Sequence, residues 1–163
     1  MMRTMVLAAA LLALSACGLQ PIYGGGLGNA AVQGLAAIDV APMPGRSGWL
    51  MGNALNDRLA AAGNTTPRYR LDIRLDDKVE GLGLLNDDTI GRERRTLRAR
   101  YQLIDLASGS ILLDATAGSD AGIDVVSSEY ATIAAEQTAL ERLTEEVADQ
   151  IITRVSLTLR AAE

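Results

Sequence analysis

The spacing of apolar residues changes twice along the chain, and this change predicts the order of helices and strands. Between residues 48 and 62 apolar side chains recur at helical spacing, between 69 and 117 they alternate, and from about 128 to 160 the helical spacing returns. Alternation is typical of strands that bury one face and leave the other in water. With one short strand earlier in the chain, we expect a two-layer α+β sandwich, a four-stranded sheet with two helices packed on one face.

The first strand is predicted within residues 35–41 (LAAIDVA), and Pro42 ends it. A helix is predicted from about Gly48 to Ala62, with Ser47 as its N-cap. We expect one face of this helix to pack in the core, with Trp49 as its largest member. The residues of that face are Trp49, Gly52, Leu55, Leu59 and Ala62.

Three strands are expected next, and each has one apolar face. The second begins after Pro67, the third covers about Glu93 to Leu106, and a turn at Ser108-Gly109 leads into the fourth. Residues 118–127 are mostly small or polar and are predicted as a loop. The inward-facing residues are Tyr69, Leu71, Ile73 and Leu75, then Leu97, Ala99, Tyr101 and Leu103, then Ile111, Leu113, Ala115 and Ala117.

A long amphipathic helix is predicted from about Ser128 to Arg160. Its apolar stripe weakens near Thr138, so one continuous helix and a helix broken there both fit the pattern. The stripe contains Ile133, Leu140, Leu143, Val147, Ile151, Val155 and Leu159.

The N-terminal segment is typical of an exported lipoprotein. Arg3 is followed by an apolar run from Met5 to Leu14, too short to span a bilayer, which needs about 20 residues. Leu14-Ser15-Ala16-Cys17 then matches a lipobox, so we predict cleavage between Ala16 and Cys17. Diacylglyceryl and N-acyl groups on Cys17 would anchor the mature chain to a membrane, because two or more acyl chains hold a protein there stably. Two alternatives remain. The apolar run could be a buried core helix, or the chain could be an ordinary secreted protein with a single unmodified thiol.

Composition excludes several classes of function. The chain has no His and one Cys, so it has neither a Ser-His-Asp or Cys-His site nor a zinc site built on His or on paired Cys. Without Arg3, the 20 acidic residues outnumber the basic ones by six, which argues against a nucleic-acid partner. We therefore expect that the protein is not an enzyme and binds no cofactor, although a catalytic mechanism that uses only carboxylates stays formally open.

The densest charged feature consists of five arginines between residues 92 and 100. Guanidinium groups suit phosphate or carboxylate, so this cluster is a candidate site for an anionic ligand such as phosphorylated lipid A. The alternative is a polar sheet face whose arginines pair across strands with Asp72, Asp76 or Asp114. The cluster is Arg92, Arg94, Arg95, Arg98 and Arg100.

The segment between the second and third strands carries a weaker signal. Leu82, Leu84 and Leu85 lie among glycines, either as an apolar hairpin tip that contacts a lipid or partner or as a packed extension of the strands. The acidic pairs at residues 76–77 and 87–88 are interpreted as solvated turn residues.

Short motifs along the mature chain resemble the LptE family of LPS-assembly lipoproteins. Cys17-Gly18 followed by Pro21, Tyr23 and Gly24 is similar to the opening of that family. Weaker similarities lie in the helix after Gly45-Arg46, in the hairpin around Gly109 and near Ala134-Ala135-Glu136.

The resemblance implies an outer-membrane lipoprotein on the periplasmic side, whose domain plugs an LptD-type β-barrel and helps deliver lipopolysaccharide to the cell surface. Gly18 after the lipidated Cys favours the outer membrane, also by resemblance. Another periplasm-facing lipid-transport auxiliary lipoprotein is the alternative. The predicted organisation is a signal peptide at 1–16, a lipidated flexible tether at 17–34 and one domain at 35–163.

Overall fold

The computed structural model describes residues 30–82 and 91–161, which form an α+β fold. Its four strands form one mixed sheet in the order β1-β2-β3-β4, and the fold class predicted from the sequence is confirmed. The helices are α1 (Ala30–Ala36), α2 (Gly45–Ala60) and α3 (Glu129–Ala161), and the strands are β1 (Ile38–Val40), β2 (Tyr69–Gly81), β3 (Arg92–Asp105) and β4 (Ile111–Asp124).

The sheet combines one parallel pair with two antiparallel pairs. β1 runs parallel to the start of β2, with Ile38 opposite Tyr69, and α2 provides the crossover that such a pair needs. β2 and β3 pair antiparallel along their whole lengths, and β3 pairs with β4 in the same way. Because α2 and α3 cover one face of this sheet, the other face, called the outer face below, is left for charged side chains.

The core lies between the sheet and the helices and consists mostly of aliphatic side chains. The inward-facing residues predicted for β2 and β3 are in it, except for Leu75, which is partly buried and packs against it. Tyr101 is the largest fully buried side chain of the core. Each fully buried Leu, Ile or Val contributes about 1.5–3 kcal/mol by leaving water. The helices contribute Met51, Leu55, Leu59, Leu140, Leu143, Val147, Ile151, Val155 and Leu159.

α3 is one continuous helix of 33 residues, so the break considered near Thr138 does not occur. Its buried stripe matches the prediction from Leu140 onward, but the inclusion of Ile133 was wrong, because that side chain is 44% exposed. The first turns of α3 therefore present apolar residues to solvent, whereas the remaining turns cover the sheet.

β4 is longer than the alternating pattern predicted. It continues to Asp124, so most of the loop predicted at 118–127 is strand, and Ile123 is buried. An irregularity between Leu103 and Ile104 shifts the register of β3 against β4 by one residue. That shift turns Ile111 away from the core, contrary to prediction, since a one-residue slip moves a side chain to the other face.

The N-terminal part of the domain was predicted less well. Residues 30–34, which were predicted as the end of the tether, lie in α1. The described part of the chain has three helices where two were expected. Val32 and Leu35 are buried in the core. The predicted first strand is shortened to Ile38–Val40 because α1 takes Leu35 and Ala36.

The buried face of α2 also differs from prediction. The helix begins at Gly45 after Pro44, so Ser47 lies inside its first turn rather than at its cap. Met51, Leu55 and Leu59 face the core. Trp49 is 65% exposed, so the prediction that it is the main core residue was wrong.

Candidate functional site

The outer face of the sheet carries most of the predicted arginine cluster. Successive side chains of a strand point to opposite faces, and Leu97 and Ala99 are buried under the helices. The even-numbered residues between them and beside them therefore point away from the core. These outward-facing arginines are Arg92, Arg94, Arg98 and Arg100, and all four are exposed.

Three of these arginines are balanced by acidic residues of β4. Arg100 donates hydrogen bonds to both oxygens of Asp114, at 3.1 and 3.3 Å. Arg92 and Arg94 lie 3.3 and 3.8 Å from carboxylate oxygens of Asp124 and Asp120, respectively. The cross-strand pairing considered as the alternative interpretation is thus present for these three, although two of the three carboxylates are not those expected.

The Arg100 contact has a clear electrostatic consequence. The hydrogen bond from Arg100, and after it the one from Gln102, hold the pKa of the Asp114 carboxyl below its usual value. The same pairing raises the pKa of Arg100. Asp114 therefore stays ionised and keeps the Arg100 guanidinium turned along the sheet.

Arg95 lies apart from the other four. It points to the helix side of the sheet, where it donates hydrogen bonds of 2.9 and 2.7 Å to the two carboxylate oxygens of Asp77. A third bond of 3.0 Å reaches the backbone carbonyl of Glu136 in α3. Arg95 thus joins β2, β3 and α3, and its guanidinium is occupied by these contacts.

The centre of the outer face holds two arginines that form no ion pair with any described residue, Arg98 and Arg74. Arg98 donates one hydrogen bond of 3.3 Å to the carbonyl of Ser119. Arg74 of β2 lies directly opposite Arg100 of β3, beside a shallow depression of about 370 Å³ at the end of β1. Arg74 and Arg98 are therefore charged residues without an ion-pair partner among the described residues, although Asp76, which pairs with Lys78, lies opposite Arg98.

Gly118 allows Arg98 to lie flat on the sheet. The two residues are opposite each other in β3 and β4, and a Cβ atom at Gly118 would be 2.6 Å from a guanidinium nitrogen of Arg98. Gly118 was predicted to lie in a loop, and Arg74 was expected on the polar face of the sheet but not among the lipopolysaccharide-binding arginines. The even spacing of Arg70, Asp72 and Arg74 was the available signal for the latter.

The other predicted features have different outcomes. Ala16, Cys17, Leu84 and Leu85 lie outside the described residues. Within the two described segments, no cluster of three or more His, Cys, Asp or Glu is placed to hold a metal ion. No helix in these segments has both the length and the apolar character needed to cross a membrane.

The family to which the chain belongs follows from comparison with known proteins. The LptE lipopolysaccharide-assembly family model matches residues 35–155, which include all four strands and most of the helical layer. The chain therefore belongs to the LptE lipopolysaccharide-assembly family. A search of the curated proteins found no match.

Solved structures with the same fold come from several bacteria. A protein classed as a lipoprotein of Caulobacter crescentus CB15 aligns with a TM-score of 0.69 at 24% identity, over 83% of this chain and 98% of that one. A minor lipoprotein of Acinetobacter baumannii aligns with a TM-score of 0.58 at 13% identity, over 74% and 88%. The rare lipoprotein B of Shewanella oneidensis gives 0.57 at 9% identity, over 75% and 93%. At these identities the similarity shows the fold.

Proposed function

We propose that this protein is an outer-membrane lipoprotein that plugs an LptD-type β-barrel and assists lipopolysaccharide transport to the cell surface. The observation that carries the proposal is the LptE family match over residues 35–155. In this role the protein is a non-enzymatic accessory subunit, and its only attached groups are the acyl chains on Cys17.

The outer face of the sheet supports a plug role. Its side chains are charged on β2, β3 and β4, and the acidic residues nearly balance the basic ones. Such a surface suits a water-filled barrel lumen, because exposed ion pairs keep their hydration there. The helices on the opposite side bury most of their aliphatic residues against the sheet, so the core does not depend on the barrel for cover.

Membrane attachment is tested at Cys17. We expect Cys17→Ala to accumulate as a precursor that retains residues 1–16, because the thiol accepts the diacylglyceryl group. Immunoblotting of membrane and soluble fractions measures both precursor size and location. Normal maturation and membrane association of this variant would overturn the lipid-anchor proposal.

The barrel partner is tested by affinity purification from outer membranes in mild detergent. We expect one large β-barrel protein to co-purify in fixed proportion with this chain. A preparation of the lipidated protein without a barrel would contradict the plug role. That result would favour the alternative role of a periplasm-facing lipid-transport auxiliary lipoprotein.

We further propose that the outward-facing arginines of β3 bind the phosphates of lipopolysaccharide. The proposal includes Arg92, Arg94, Arg98 and Arg100, and omits Arg95 because it is held by Asp77 on the helix side. The combined Arg98→Ala and Arg100→Ala variant should weaken lipopolysaccharide binding several-fold in a direct binding assay.

A matched control removes two exposed arginines from the helical layer instead. Arg46→Ala together with Arg142→Ala changes the net charge equally but leaves the outer face intact. Equal losses in the two double variants would indicate a non-specific charge effect, and unchanged binding in the β3 variant would favour a purely structural role for its arginines.

A further inference from the structure

The two edges of the sheet differ in whether their backbone groups have hydrogen-bond partners. At the middle of the edge of β4 they have one. There the backbone N–H of Gly118 donates to the side-chain carbonyl of Gln150, at 3.2 Å. The Gln150 amide nitrogen donates back to the carbonyl of Gly118, at 3.4 Å. The Gln150 side chain thus takes the place of a neighbouring strand, and it closes this edge at its middle. Charged Asp114 and Asp120 flank it, as is common on protected edges.

In the part of the chain that the structure describes, the edge of β2 has no neighbouring strand over more than half of its length. β1 pairs only with Tyr69–Leu71, and the last hydrogen bond on this side runs from Ala41 N–H to the carbonyl of Leu71, at 3.1 Å. Backbone groups alternate in direction along a strand, so those of Ile73, Leu75, Asp77 and Val79 point past the end of β1.

None of these four residues forms a backbone hydrogen bond across this edge with any part of the chain that the structure describes. The open stretch from Ile73 to Val79 is about 20 Å long at about 3.3 Å per residue. Among the described residues, the β4 edge is thus closed by the Gln150 side chain, whereas this stretch of β2 presents a row of backbone donors and acceptors with no partner.

The side chains along this stretch indicate what the edge accepts. On the helix side, Leu75 is partly buried and Val79 is 42% exposed, so both offer apolar surface beside the edge. On the outer face, Lys78 is paired with Asp76 at 3.0 Å. Arg74 forms no hydrogen bond or ion pair with a described residue, so its positive charge is available beside the edge.

We propose that the edge of β2 between Ile73 and Val79 binds an extended segment of a partner protein as an additional strand. That segment carries an acidic residue beside Arg74 and apolar residues on the helix side. Main-chain hydrogen bonds supply affinity in such strand addition, and alternate side chains supply specificity. A second copy of this chain fits less well. If two copies paired antiparallel along the whole stretch from Ile73 to Val79, Arg74 of each copy would lie opposite the positively charged Lys78 of the other. The inference does not depend on the identity of the barrel partner.

The experiment uses a fluorescent heptapeptide with the palindromic sequence Val-Glu-Val-Thr-Val-Glu-Val. It presents the same side chains in parallel and antiparallel orientation, with Val toward the helix side and Glu beside Arg74 and Lys78. Fluorescence anisotropy with the full chain in detergent should show saturable one-to-one binding. A peptide with Lys in place of Glu should bind at least tenfold more weakly.

Two variants locate the binding to this edge. Val79→Pro removes an N–H that points to the open edge while leaving the hydrogen bonds between β2 and β3 intact, and should weaken binding at least tenfold. Arg74→Glu should reverse the preference between the Glu and Lys peptides, and it keeps the test decisive if Val79→Pro unfolds. Thr116→Pro makes the equivalent change at the edge of β4 and should leave the affinity unchanged.

Several results would overturn the proposal. They are the absence of saturable binding, equal affinity for both peptides, or equal effects of Val79→Pro and Thr116→Pro. Sedimentation provides a further check. Concentration-dependent dimers of the wild-type chain that Val79→Pro abolishes would assign the edge to a second copy, against the proposal.

Discussion

The ion pair between Arg95 and Asp77 offers a sharp test of how the sheet is joined to α3. Both side chains lie on the helix side and are only 14% and 19% exposed. Arg95→Met keeps much of the arginine stem but leaves the Asp77 carboxylate without its partner under the helix. It also removes the hydrogen bond to the carbonyl of Glu136.

The expected magnitude follows from this partial burial. Removing one partner of a fully buried ion pair costs about 3–5 kcal/mol, mainly because a charge is left unpaired. Since some water reaches this pair, we expect Arg95→Met to lower the free energy of unfolding by about 2–3 kcal/mol. Replacing both residues, as Arg95→Met with Asp77→Leu, should restore most of this loss, because two apolar side chains replace the pair.

Urea unfolding of the chain that begins at residue 17, with Cys17→Ser to prevent lipidation, measures these differences. The wild type, both single variants and the double variant form a double-mutant cycle. We expect a coupling free energy above about 1 kcal/mol. The reasoning is refuted if the decreases in the free energy of unfolding of the two single variants simply add in the double variant, or if each decrease is below about 0.5 kcal/mol. In either case the ion pair does not stabilise the packing of α3 on β2 and β3.

Further predictions concern packing and pH. Trp49→Ala should change the free energy of unfolding by less than about 1 kcal/mol, whereas Met51→Ala should cost about 2–5 kcal/mol, because only the latter is buried; equal losses in urea unfolding would contradict the orientation of α2. Gly48→Ala should destabilise by about 1–3 kcal/mol, because its Cβ would lie 2.7 Å from a backbone carbonyl oxygen. Gly52→Ala, with no heavy atom nearer than 3.9 Å, should stabilise slightly, and thermal melts compare the two. Hydrogen bonds from the turn, first from the Ser108 backbone, lower the pKa of the Asp105 carboxyl. The ionised Asp105 carboxylate therefore stabilises the fold fully above the pKa that this group has in the unfolded chain, and this stabilisation is lost as the pH falls through its lower pKa in the folded protein. Asp105→Asn should thus make the free energy of unfolding less dependent on pH below about pH 4.

Strand faces were predictable where large apolar residues alternate with charged ones. Leu71 and Ile73 in β2, and Leu97 and Leu103 in β3, are buried as the pattern required. Period-two alternation is a local property of the chain, and each such residue has only two faces to choose between.

The second half of β4 was not predictable in this way. Its residues around Gly118 are small and have weak strand propensity, so the local signal favours a loop. Pairing with β3 and cover from α3 hold this segment in the sheet. A distant partner strand thus overrides the local preference.

The candidate site was predicted in part. The clustering of arginines was evident in the sequence, and residue parity places Arg98 and Arg100 on the face opposite Leu97. The aspartates that neutralise Arg92, Arg94 and Arg100 come from β4, and their positions depend on the register between two strands. Register is set by long-range pairing, so the sequence named Asp114 as one of three possible partners but did not identify Asp120 or Asp124.

Local spacing was sufficient for the order of the main elements and for the two faces of β2 and β3, and it also predicts the lipobox at Cys17. Each of these depends on residues within a few positions of one another along the chain. Contacts between distant segments were needed for the exposure of Trp49, the burial of Arg95, the charge left at Arg74 and the unequal edges of the sheet. Those properties depend on which strand or helix becomes a neighbour, and that choice minimises the free energy of the whole domain rather than of any one segment.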